Sequence, residues 1–156
     1  MVATAAASYL VLIVAACVLF YAAASDLQAY KISNEVVITL LVLFALHSAL
    51  SGRWVGLHWD LAFAAVCFAL MLACYATGLM GGGDLKLLSV AFLWSGIRCV
   101  VPFLVVLVVA ALVHTLLARF GYVGAQRVEG RMRIAFAPSI AIGLIVVFMI
   151  GCVSPH

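Results

Sequence analysis

Six apolar runs, separated by short polar connectors, leave this chain few folds to adopt. They extend from about Ala3 to Ala24, Val36 to Leu50, Leu61 to Met80, Leu85 to Ile97, Cys99 to Leu117 and Ile134 to Val153. A helix of about 20 apolar residues crosses a bilayer, and in lipid helices and closed barrels are the structures that satisfy every backbone group. Hydrophobic residues make up 69% of the 156-residue chain and charged residues 8%, against roughly half and a quarter in a soluble protein. The sequence therefore predicts an all-α polytopic membrane protein. It has six transmembrane helices in a single integral membrane domain, residues 1–156, with no soluble domain. The second run is short for a span and is expected to borrow from its flanks.

The few charges orient these spans. Connectors after the first, third and fifth runs hold Lys31, Lys86, Arg119, Arg127, Arg131 and Arg133, whereas the others hold Arg53 and Arg98. Positive charge collects on the cytoplasmic side, so the first group is expected there and both termini are expected to be extracytoplasmic. Trp54 and Trp59 read as anchors at the opposite interface. Ala22-Ala23-Ala24 looks like a signal-peptide cleavage site, but no Lys or Arg precedes it. A secretory signal needs a basic leading region, so the run is expected to stay as the first helix. The net charge of +3 and the lack of a basic, aromatic-interleaved run argue against nucleic acid as a partner. Cys17, Cys67, Cys74, Cys99 and Cys152 show no C-x-x-C spacing and no histidine at zinc-ligand distance. All five are read as packing residues, and no metal or cofactor is expected.

Against this background one stretch stands out: Gly81-Gly82-Gly83-Asp84, followed by Leu85-Lys86-Leu87. An acid at membrane depth costs about 2.5 kcal/mol or more and reads as functional by default. The glycines allow close backbone approach and positive φ. Asp84 is equally readable as a helix N-cap, so the stretch alone leaves both readings open. The topology adds the discriminating feature. Asp26 and Asp84 fall at cytoplasmic ends of spans, and Asp60 falls on the other side. Two carboxylates on one side of a bundle suit an aspartyl hydrolase: close acids share a proton, one draws a proton from water and the other protonates the leaving group. The fourth run adds depth, since thirteen helical residues cover about 20 Å of a core about 30 Å thick. With Arg98 at the outer boundary, Asp84 lies beneath the cytoplasmic surface.

These residues resemble a known family. Gly81-Gly82-Gly83-Asp84-Leu85-Lys86-Leu87 is similar to the G-x-G-D element of the type IV prepilin peptidases, bacterial membrane aspartyl proteases. Ala24-Ser25-Asp26 with Lys31-Ile32-Ser33-Asn34 resembles their first catalytic segment, and Phe136-Ala137-Pro138-Ser139-Ile140-Ala141-Ile142-Gly143 their closing segment. The resemblance implies an inner-membrane endopeptidase that removes the basic leader of a prepilin on the cytoplasmic side. It implies Asp26 and Asp84 as the catalytic pair, with Gly81, Gly82, Gly83, Lys86 and Asn34 shaping the site or binding substrate. Ser33 and Ala135 stand where the family often has proline. The insert with two C-x-x-C pairs, found in members that also N-methylate pilin, is missing. The chain thus resembles the short, peptidase-only form of tight-adherence (Flp-type) pilus systems.

Competing readings attach to the remaining polar residues. His114 is placed to approach the acids from the fifth run, although an intramembrane histidine is more often a hydrogen-bonded packing residue. His47 reads as structural. Lys86 either orients substrate or snorkels to the interface, with snorkelling favoured. Arg127 to Arg133 fit anionic membrane lipid. A protease for archaeal preflagellins is an alternative within the same chemistry. From another class, a small cation or proton-coupled transporter would use the same Asp26 and Asp84, though the chain shows no matching second half of the kind transporters carry. A purely structural assembly protein would not need two costly acids on one side.

Overall fold

The computed structural model describes residues 2–29, 32–52, 56–120, 126–128, 131–133 and 135–153. Lys31, Arg53, Trp54 and Glu129 lie outside the described residues, as do the chain ends at Met1 and His156. The elements are helix α1 (Val2–Ala29), α2 (Asn34–Ser51), α3 (Leu57–Ala76) and α4 (Gly82–Arg119), strands β1 (Gln126–Val128) and β2 (Arg131–Arg133), and helix α5 (Ala137–Met149). The first four helices are each long and apolar enough to cross a membrane, and α5 is a shorter apolar helix. The protein is a multi-pass membrane protein of helices. The small antiparallel ribbon β1–β2, paired through Arg127 and Met132, was not anticipated from the polar segment that contains it.

The helix ends follow local chemistry. α1 runs through Ser25-Asp26-Leu27-Gln28-Ala29 because nothing there breaks a helix, so Asp26 sits in its last turns rather than in a connector. Ser33 caps α2, its hydroxyl accepting from the Val36 amide at 3.4 Å; a proline at this place would supply no such oxygen. α2 takes in Asn34 and Glu35, the borrowing expected of a short run. Gly52, at φ 66°, ends it in the left-handed region and returns its amide to the Ser48 carbonyl, a glycine C-cap. α3 begins four residues ahead of its apolar run and carries Asp60 in its first turn. The last apolar run, taken as Ile134 to Val153, contributes a helix of 13 residues, Ala137–Met149. Its Pro138 lies in the first turn, where a missing amide hydrogen loses no bond.

α4 is 38 residues long but is not one rod. Gly96 adopts φ 57° and ψ −176°, a combination open to glycine and strained for other residues. Phe92 and Phe103 meet edge to face across this point, ring centroids 5.5 Å apart, whereas eleven residues of straight helix would separate them by about 16 Å. The two arms therefore fold back on each other, close to the division between the fourth and fifth runs placed at Arg98. Asp60 of α3 secures the fold: its Oδ1 accepts the Ile97 amide at 3.1 Å, at the opening of the second arm. A β-carbon on Gly96 would stand 2.5 Å from that same oxygen. Close approach and positive φ both demand glycine here.

The core centres on Trp94, which is fully buried. Its indole donates to the Leu40 carbonyl of α2 at 3.1 Å, and Phe44, His47 and Phe148 pack around the ring. α5 lies against α1 and α4, and α3 packs on α4. Much of the outside is apolar: Leu10, Phe20, Val66, Leu70 and Val105 are all exposed. In water so much bare apolar surface would be an aggregation liability; against lipid it is the ordinary exterior of a membrane helix bundle. One expectation is corrected. Cys99 and Cys152 are not packing residues but form a disulfide, with Cα atoms 6.1 Å apart. The fold-back at Gly96 and the turn after α5 bring together residues 53 positions apart. Cys17, Cys67 and Cys74 are free thiols.

Candidate active site

Asp26 is 5% exposed, near the end of α1 and packed against the start of α5. Its Oδ2 accepts the backbone amide of Ala137 at 3.0 Å, across 111 residues of sequence. Ala137 is the first residue of α5, so the carboxylate occupies the place that an N-cap side chain takes at other helices. The amides at a helix start carry partial positive charge, which favours an anion there. Pro138 brings no amide hydrogen to compete for the acid. Phe136 closes the first turn by accepting from the Ser139 and Ile140 amides. The Ser139 hydroxyl in this turn is buried and without a hydrogen-bond partner among the described residues. Sequence reading placed Ala137 and Ser139 in a closing segment but gave neither a role, since their relation to Asp26 depends on tertiary packing.

Asp84 is the third residue of α4, whose N-cap is Gly81. It is thus not the cap itself, as one reading of the sequence had it, but an acid in the first turn. Its side chain lies back over Gly81: a β-carbon there would stand 3.1 Å from Oδ2. Of the two reasons expected for the glycines, close approach and positive φ, the second does not apply. Gly81 holds φ −75° in extended backbone, Gly82 and Gly83 are helical, and none is among the positive-φ glycines. They stand close to their neighbours instead. A β-carbon on Gly82 would touch the Tyr75 ring at 3.4 Å, and one on Gly83 would touch Ile32 at 3.5 Å.

That contact with Ile32 matters because Ile32 lies in the connector six residues after Asp26. The first turn of α4, which carries Asp84, therefore packs directly on the segment that leaves Asp26. A second tie runs beside it: Lys86 Nζ donates to Asn34 Oδ1 at 2.8 Å across 52 residues. Lys86 is exposed and its ammonium is held by this bond. All five residues proposed from sequence to shape the site, Gly81, Gly82, Gly83, Lys86 and Asn34, belong to this junction or adjoin it. Asp26 and Asp84 are borne by its two sides.

Other polar residues sort by end of the bundle. Asp60 supports the Gly96 turn, at the end remote from this junction. His114, on the second arm of α4, is an electrostatic neighbour of Asp26, which places it on the side of the acids. His47 is buried against Trp94, a packing position. The Arg127, Arg131 and Arg133 backbone belongs to the β1–β2 ribbon between α4 and α5.

The model of the type IV leader peptidase family matches residues 13–118. The chain belongs to the type IV leader peptidase family. Membership makes it a membrane peptidase of the leader-peptidase type. The matched stretch includes Asp26, Asn34, the three glycines, Asp84 and Lys86, together with the fold-back at Gly96. It ends before the ribbon and α5. The bond from Asp26 to Ala137 therefore joins the family-matched part of the leader peptidase to the helix outside it. No curated protein and no solved structure matches the chain.

Proposed function

We propose that this leader peptidase is an aspartyl endopeptidase that removes the basic leader from type IV prepilins at the cytoplasmic face of the bacterial inner membrane. Asp26 and Asp84 are the catalytic pair. The ionised carboxylate takes a proton from the attacking water, and the protonated one delivers its proton to the departing amine; the two exchange roles in the next turnover. The observation that carries the reading is the junction described above, in which Ile32 meets Gly83 and Asn34 binds Lys86, because it draws the two acid-bearing segments to one end of the bundle. Gly81, Gly82 and Gly83 keep that end thin enough for an extended peptide, and Lys86 and Asn34 line the approach.

Six spans follow if the two arms of α4 each cross the bilayer and α5 serves as the last crossing. The positive connectors then lie inside and both termini outside. The Flp-type, tight-adherence class of substrate, cleaved without N-methylation, is favoured by the lack of any C-x-x-C pair within these 156 residues. The test is reconstitution in proteoliposomes with a Flp-type prepilin that carries its leader. A product shortened by the leader length, with a free rather than methylated new amino terminus, is expected. Cation or proton flux through the liposomes without cleavage would overturn the reading in favour of a transporter.

A further inference from the structure

α5 is held at both ends by atoms from elsewhere in the chain. At its start the Ala137 amide binds the Asp26 carboxylate. Just beyond its other end, in the turn after Met149, Cys152 is bonded to Cys99 at the opening of the second arm of α4. Thirteen helical residues, about 20 Å, lie between. The disulfide and the Asp26 carboxylate are therefore at opposite ends of the bundle.

Disulfides form and persist in oxidising compartments, and thiols facing the cytoplasm stay reduced. The bond thus assigns its end of the bundle to the extracytoplasmic side by redox chemistry, independently of where the arginines lie. Cys99 is fully buried while Cys152 is half-buried, so Cys152 is the sulfur that an external reagent reaches first. Cys17, Cys67 and Cys74 are free and lie on helices α1 and α3, away from this pair in sequence.

We propose that Cys99 and Cys152 form an oxidative maturation site on the extracytoplasmic face. It is closed by a dithiol–disulfide oxidase of that compartment, and it fixes the far end of the helix that anchors Asp26. The Cys152 thiolate attacks the oxidase disulfide, forming a mixed disulfide and releasing one oxidase thiolate. The Cys99 thiolate then attacks the Cys152 sulfur and releases the second. The two protons lost by the cysteines end on the two oxidase thiols, and the two electrons reduce the oxidase disulfide. The bond then holds α5 against the second arm while its other end holds the acid. Only the link to the acid's role rests on the leader-peptidase reading; the site and its sidedness do not.

The experiment uses the full chain with Cys17→Ala, Cys67→Ala and Cys74→Ala, in spheroplasts that expose the outer face. A membrane-impermeant maleimide is expected to add no mass before reduction. After an impermeant reductant it is expected to tag at least Cys152. Tagging before reduction, or tagging only when the reagent reaches the cytoplasm, would overturn the proposal. In detergent, reduction should lower the unfolding midpoint by about 5 °C or more; an unchanged midpoint would show that the bond fixes nothing. Prepilin cleavage separates the two claims. The expected tags and midpoint shift with no cleavage by the oxidised protein would sink the leader-peptidase reading and leave this site standing.

Discussion

The two ends of the helix bundle use the same device in different surroundings. At one end Asp60 accepts the Ile97 amide at 3.1 Å; at the other Asp26 accepts the Ala137 amide at 3.0 Å. Each is a carboxylate from one helix set on the start of another. Asp60 presses on Gly96, where no β-carbon fits, and a disulfide closes the chain nearby. Its surroundings are those of a brace. Asp26 precedes a connector that packs on the start of α4, where a second acid lies in the first turn and the Asn34–Lys86 bond ties the two segments. The comparison teaches that an acid at a helix start is not itself a sign of chemistry. What sets the Asp26 end apart is the second acid and the glycine backbone of the adjoining helix start.

The sharpest way to break this contrast is to thicken the glycine backbone. In Gly83→Val the β-carbon touches Ile32 at 3.5 Å, and its two methyl groups push further into the connector. Overpacking of this sort costs about 1–3 kcal/mol and here displaces the segment leading from Asp26. Prepilin cleavage should fall at least about 100-fold while the protein still inserts and purifies as wild type. Near-normal cleavage would reduce the glycines to a turn.

The opposite end should respond in stability instead. Gly96→Ala forces a β-carbon to within 2.5 Å of Asp60 Oδ1 at φ 57°, a strain of about 1–3 kcal/mol before any clash is relieved. Its thermal midpoint in detergent should drop by several degrees, with cleavage per folded molecule within about threefold of wild type. A folded Gly96→Ala protein with no activity would show that the two ends are not separable.

A subtler change removes a single donor at the working end. Ala137→Pro deletes the amide that binds Asp26; proline suits the first helical position, although Phe136 before it, at φ −97° and ψ −22°, must shift to admit the ring. A hydrogen bond to a charged group is worth about 1.5–3 kcal/mol, so kcat per folded molecule should fall about 10- to 100-fold with KM little changed. An unaltered kcat would mean that α5 does not position the acid.

The sequence made the spans legible because lipid leaves helices little choice: each apolar run is a helix or part of one. It placed the fold-back within two residues, at Arg98 rather than Gly96, since an arginine marks an interface while the actual break is conformational. It singled out the glycines for close approach and positive φ, and only the first holds, because whether a glycine serves conformation or contact depends on what lies across from it. The Cys99–Cys152 bond, the Asp26–Ala137 bond and the Lys86–Asn34 bond were out of reach for one shared reason. Each joins residues more than 50 positions apart, and no periodicity or spacing encodes which helix becomes whose neighbour. Ser33 shows the reverse case: read as a departure from a family proline, it is a working N-cap.

The most direct test compares three isosteric changes in one preparation: Asp26→Asn, Asp84→Asn and Asp60→Asn, each assayed for prepilin cleavage in proteoliposomes and for its unfolding midpoint. Asn keeps the size and an accepting oxygen but cannot take up and return a proton. Asp26→Asn and Asp84→Asn should each lose at least about 10³-fold in cleavage, and the double variant should be little worse than either, as expected of groups acting as a unit. Asp60→Asn should cleave within a few-fold of wild type and unfold at a lower temperature. Near-normal cleavage by Asp84→Asn, or a folded but inactive Asp60→Asn, would contradict the assignment of chemistry to one end of the bundle and bracing to the other.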